Sequence, residues 1–122
     1  MTPAEKTRML AERVMGWRVH FRNTALYVPM EQEHSAGSLK VAARISDWSP
    51  LTNLSHAGEV LEAMAKNGWH AVMLCPANGR HYCDFYRGPM TNRDAPPNGH
   101  ESLSAAICHA ALLAEGVKEE EL

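Results

Sequence analysis

Residues 69–86, "WHAVMLCPANGRHYCDFY", decide the fold: Asn78-Gly79 stands between two runs rich in β-branched and aromatic side chains. Asn-Gly is the strongest short-range hairpin signal, because a type I′ turn needs positive φ at both central positions. A two-residue turn flanked by Ala77 and Arg80 sets Cys75 opposite Tyr82, Leu74 opposite Cys83, Met73 opposite Asp84 and Val72 opposite Phe85. Side chains alternate between the faces of a strand. The register therefore predicts Val72, Leu74, Cys83 and Phe85 on one face and Trp69, Ala71, Met73, Cys75, Tyr82, Asp84 and Tyr86 on the other. Both faces are substantially apolar, whereas a hairpin with one side in water alternates cleanly, so this one needs cover on each side.

Three helical segments are available to supply that cover. Thr2-Pro3-Ala4-Glu5 carries an N-cap, a proline suited to the first helical position and a reciprocal capping glutamate, opening a helix from about Pro3 to Met15 that Gly16 ends. Met9, Leu10, Arg13 and Val14 form its modest apolar stripe. A second helix runs from about Asn53 to Lys66, with Leu54, Ala57, Leu61, Met64 and Ala65 on one face and Asn67-Gly68 as its stop. Gly58 weakens that helix and marks a close approach of backbones. The third, "LSAAICHAALLAE", is capped by Ser102 and ended by Gly116. Its main stripe is Leu103, Ala106, Ile107, Ala110 and Leu113, yet Ala111, Leu112 and Ala114 leave little polar surface, so it is buried on more than one side or forms an interface. The tail "KEEEL" reads as a solvated end.

Elsewhere, "WRVHFRNTALYVP" is strand-like from Trp17, with Trp17, Val19 and Phe21 alternating against Arg18, His20 and Arg22. "SLKVAARISDW" supplies another short strand with Leu39, Val41 and Ala43 on one side. The economical arrangement is an α+β, α/β/α sandwich, with a small, mainly antiparallel sheet of three to four strands and helices on both faces. At 122 residues, 45% hydrophobic, 21% charged and net charge −2, the chain is sized for a single domain spanning residues 1–122. No apolar run approaches the ~18 residues of a membrane span, and the charged amino terminus is unlike a secretory signal, so the protein is expected in the cytoplasm, with Cys75, Cys83 and Cys108 reduced. The near-neutral balance argues against a broad nucleic-acid surface.

"AERVMGWRV" at 11–19, "WSPLTNLSHAGEVLEAMAKNGWHAVMLC" at 48–75, "CDFY" at 83–86 and "SLSAAICHAALLA" at 102–114 resemble the successive blocks of the phage ABA sandwich domain. The chain departs from that pattern at Thr52-Asn53-Leu54, where the family often has Thr-Asp-Ile, and at His109, where arginine is frequent. Residues 20–47 have no clear counterpart and read as a variable insert suited to individual specificity. The resemblance implies an α/β/α sandwich of phage or prophage origin and supplies no catalytic residues.

The candidate sites follow from these assignments. His70, Cys75, His81 and Cys83 invite a metal reading, but the register sends Cys75 and Cys83 to opposite faces, and no Cys-x₂-Cys spacing is present. Cys83 with His81, and Cys108 with His109, are poorly spaced for a nucleophilic dyad. No phosphate-cradling glycine loop occurs. Neither a metal, nor a cofactor, nor an enzyme activity is therefore expected. The hairpin face with Trp69, Tyr82, Asp84 and Tyr86, flanked by Arg80 and Arg87, is the candidate ligand or partner surface. The preferred expectation is a non-enzymatic phage accessory protein that binds a bacterial host protein or complex and inhibits a defence system by occlusion. Two alternatives stand beside it: sequestration of a nucleotide-like ligand, and a structural component self-assembling as a homodimer through the last helix.

Overall fold

The computed structural model describes residues 1–21, 25–29, 43–74, 78–87 and 99–122. Helix α1, Pro3–Arg13, starts on the capping box read from the sequence: Thr2 Oγ1 accepts from the Glu5 N–H, and Glu5 Oε2 accepts from the Thr2 N–H, each at 3.2 Å. Gly16, at φ +71°, then turns the chain into β1, Trp17–Phe21. The strand-like run divides here, because β2, Ala25–Pro29, pairs antiparallel with β1 from Trp17 opposite Pro29 to Phe21 opposite Ala25. The two-residue β3, Ala43–Arg44, completes this three-stranded sheet on the other side of β2. Leu39 and Val41, placed in the same strand as Ala43 by the alternation, lie outside the described residues.

Helix α2, Leu54–Lys66, is capped by Asn53, whose Oδ1 accepts from the His56 N–H. It buries Ala57, Val60 and Met64, a face rotated from the stripe read in the sequence, and leaves Leu54 and Ala65 exposed. Gly58 does not mark a close backbone approach: a Cβ built there meets nothing within 4 Å. β4, His70–Leu74, and β5, Tyr82–Tyr86, form a second antiparallel sheet. Helix α3, Leu103–Ala114, capped by Ser102, closes the fold.

The class is α+β with antiparallel sheets, and among the described residues the strands fall into a group of three and a group of two rather than one sheet. Helix α3 is the hub: it packs on β5, α2 and α1 and buries Ala106, Ile107, Cys108, Ala110, Ala111 and Leu112. Of the two roles read for an almost wholly apolar helix, burial on more than one side is the one observed; Leu113, not Leu112, faces outward. The same core extends to the β1–β2 sheet, where Trp17, Tyr27 and Trp48 pack mutually with ring centroids 4.9–5.8 Å apart. The buried Trp48 meets its polar requirement by donating Nε1–H to Glu59 Oε2 at 2.7 Å. No helix among the described residues is long and apolar enough to cross a membrane.

Candidate functional site: the hairpin face and a histidine cluster

The hairpin adopts a register one residue away from the two-residue turn. His70 lies opposite Tyr86, Ala71 opposite Phe85, Val72 opposite Asp84, Met73 opposite Cys83 and Leu74 opposite Tyr82. Two interactions, one local and one distant in sequence, accompany the shift. Asn78 Oδ1 accepts from the Arg80 N–H at 2.9 Å, a turn made by the side chain, with Gly79 at φ +79°. His81 pairs instead with His100, each N–H donating to the other's carbonyl at 2.8 Å. A one-residue slip exchanges the faces. Cys83 and Phe85 therefore share a side with Ala71 and Met73, while Tyr82, Asp84 and Tyr86 share the other with His70, Val72 and Leu74. The separation of Cys75 from Cys83 falls with the register on which it rested, and Cys75 lies outside the described residues.

The six candidate residues consequently do not form one surface. Tyr82, Asp84 and Tyr86 remain together, half-buried, with the His70 ring stacked on Tyr86 at 5.3 Å and 25°. Trp69 belongs to the opposite side, where the Arg87 guanidinium covers its ring at 4.1 Å and Arg87 Nη2 donates to the Asn67 carbonyl at 2.9 Å. The Trp69 indole N–H is buried without a hydrogen-bond partner among the described residues. Arg80 is tied down at the start of β5 by donating from Nη2 to the Gly99 carbonyl at 2.8 Å. Residue 99 must be glycine for this contact, since a Cβ there would stand 2.8 Å from both Arg80 Cβ and Tyr82 Cζ.

On β4 both sides are open: every residue except the half-buried Val72 is exposed, with Met73 at 41% and Leu74 at 47%. β5, paired beside it, alternates, burying Cys83 and Phe85 against α3. Burial raises the Cys83 thiol to about 12, helped by the neighbouring Asp84 charge, and raises Cys108 to about 12, helped by Cys83. At neutral pH such thiols are essentially all protonated and make poor nucleophiles. Among the described residues no three His, Cys, Asp or Glu side chains are placed to hold a metal ion.

A second constellation escaped the sequence reading. The rings of His100 and His109 lie 4.6 Å apart at 49°, and with Lys6, Leu51 and Ala105 they line a cavity of about 70 Å³. His109 Nε2 lies 3.0 and 3.2 Å from the two carboxylate oxygens of Glu119. The acidic tail is thus folded back as a short 3₁₀ turn, Glu119–Glu121, with Val117 buried in the core, rather than a purely solvated end. His100 is held below the ordinary histidine value, first by burial and then by the positive charges of His109 and Arg80. The signal available in the sequence was His109 itself, standing where the family pattern frequently has arginine. A larger cleft of about 410 Å³ lies between the α1–β1 junction and α2 and includes Trp17, Glu59, Glu62 and Lys66. None of these cavities is lined by Trp69, Tyr82, Asp84 or Tyr86.

No curated protein and no solved structure is similar enough to this chain to be matched. The family model of the phage ABA sandwich domain matches residues 8–112, from within α1 to within α3. With the matched span covering most of its length, the chain belongs to the phage ABA sandwich domain family.

Proposed function

We propose that this phage-associated domain is a non-catalytic accessory protein that acts in the host cytoplasm by binding a bacterial protein or complex through the β4–β5 hairpin, and that it inhibits a host defence system by occluding the partner's working surface. The observation that carries the reading is the exposure of Met73 and Leu74 on β4, a strand paired on one side only among the described residues. An open strand edge with apolar side chains suits addition of a partner's strand or the docking of an apolar patch. The nucleotide-sequestering alternative expects a preformed pocket containing Tyr82, Tyr86 or Trp69 near an arginine; Arg87 does cover the Trp69 ring, but neither cavity described above is lined by these residues. A homodimer through the last helix would have only Leu113 as a large exposed apolar group on α3, the rest being used within the chain.

A photo-crosslinking residue at position 74, expressed in the host, should yield one recurrent protein adduct by mass spectrometry. The charged double variant Met73→Lys/Leu74→Lys should lose that partner while keeping the wild-type circular dichroism spectrum. Retention of a nucleotide in place of a protein, or unchanged capture by a folded double variant, refutes the proposal.

A further inference from the structure

The cavity at the foot of α3 combines features that point to an anion. Lys6 arrives from α1, His100 from the bridge to the hairpin and His109 from α3, and all three line the same space. Arg80 is close enough to raise the positive potential at His100 while its own Nη2 is held by the Gly99 carbonyl. Lys6 and His109 act on His100 in the same direction, and the Glu119 carboxylate acts in the opposite one. One ammonium and two imidazoles from separate elements share this space, and an ammonium so placed is favoured by a counter-charge. In the folded chain that counter-charge is the Glu119 carboxylate, at 3.0 Å from His109 Nε2 with its side chain half in water.

We propose that the Lys6–His100–His109 cavity is an oxyanion site for a phosphoryl group, and that Glu119 is its built-in competitor. A volume of about 70 Å³ corresponds to roughly two waters' share of liquid, which admits a tetrahedral head group but not a whole nucleotide. The donors stand on three separate parts of the fold, an arrangement in which a tetrahedral oxyanion can present a separate oxygen to each. A planar carboxylate anchored on the tail already gives both its oxygens to the same His109 nitrogen. An ion pair so exposed contributes little, and an incoming phosphate can displace it. The site is independent of the hairpin surface, and its ligand is a free phosphate or a phosphate monoester.

The test is titration of the untagged full chain with inorganic phosphate and, separately, adenosine 5′-monophosphate, against chloride at equal ionic strength and pH 6.5. Side-chain ¹H–¹⁵N shifts of His100 and His109 provide the readout. The proposal expects saturable movement of both rings and an affinity roughly two- to five-fold higher in Glu119→Gln. Lys6→Ala, a substitution compatible with helix α1, should weaken binding by a similar factor or more. Equal affinities for the two probes assign the site to the head group alone, and tighter binding of the nucleotide assigns it to a monoester whose remainder lies outside; both support it. Absence of saturable movement in both the wild type and Glu119→Gln overturns the site, and equal affinity in the two proteins overturns the competitor role.

Discussion

Adjacent leucines on α3 provide a discriminating test of how that helix is seated. Leu112 is fully buried, whereas its neighbour Leu113 is 37% exposed. Truncating Leu112 to alanine removes three carbon groups from a closed environment, a transfer loss of about 2.4 kcal/mol at ~0.8 kcal/mol each. If ~50 Å³ of the vacated space fails to collapse, the cavity adds about 1 kcal/mol, for a total of roughly 3–4 kcal/mol. That is a large part of the stability of a 122-residue domain, roughly 6–18 kcal/mol by its length. It should appear as a drop in Tm on the order of 10 °C. Leu113→Ala changes the same atoms at a partly solvated position and should cost roughly 1 kcal/mol or less. Urea denaturation followed by circular dichroism and by tryptophan fluorescence measures both. The reasoning fails if Leu113→Ala costs as much as Leu112→Ala, which is the outcome favoured by the apolar stripe as counted from sequence.

Three further outcomes follow from the packing and the titratable groups. Gly58→Ala should raise stability by about 0.5–1 kcal/mol, because the helix gains propensity and the new Cβ meets nothing within 4 Å; a loss in chemical denaturation would show hidden crowding. The Cys83 and Cys108 thiols, raised from 9.0 to about 12, favour the folded state fully below pH 9 and lose that contribution as pH rises toward 12, so unfolding free energy should fall over this window and Cys108→Ala should flatten the decline. His100, held below 6.5, has the opposite sign: the unfolded chain takes up the proton first, so stability present above pH 6.5 should be lost on acidification below it, with a shallower slope in His100→Gln.

What was legible in the chain depended on how many residues each feature needs. The caps at Thr2 and Ser102 and the left-handed glycines at 16, 68 and 116 involve a handful of neighbours, and each appears where the local chemistry placed it; the Asn53 cap, read as the first helical residue, is displaced by one position. Hairpin formation was legible for the same reason, but its register was not. The register depends on the Asn78 side chain capturing the Arg80 amide and on His81 pairing with His100, far along the chain. The buried face of α3 was ambiguous because a helix apolar nearly all round has no polar side to mark what faces out. The candidate surface broke up with the register, leaving Tyr82, Asp84 and Tyr86 together and Trp69 behind them. The histidine cluster stayed hidden because Lys6, His100, His109 and Glu119 meet only through the packing of α1 and α3.

The hairpin's two strands carry unequal shares of its specification. β5 alternates between buried and half-exposed positions, so a slip by one residue would push Cys83 and Phe85 out of the core; β4 is largely exposed on both sides and has no such preference. Structural information is therefore concentrated on β5, and β4 is nearly free of folding constraint. Substitutions along His70–Leu74 can accumulate without endangering the core, while the same changes on β5 cannot. The latitude of this domain for sequence change lies on β4, which can vary while β5 and the core behind it stay as they are.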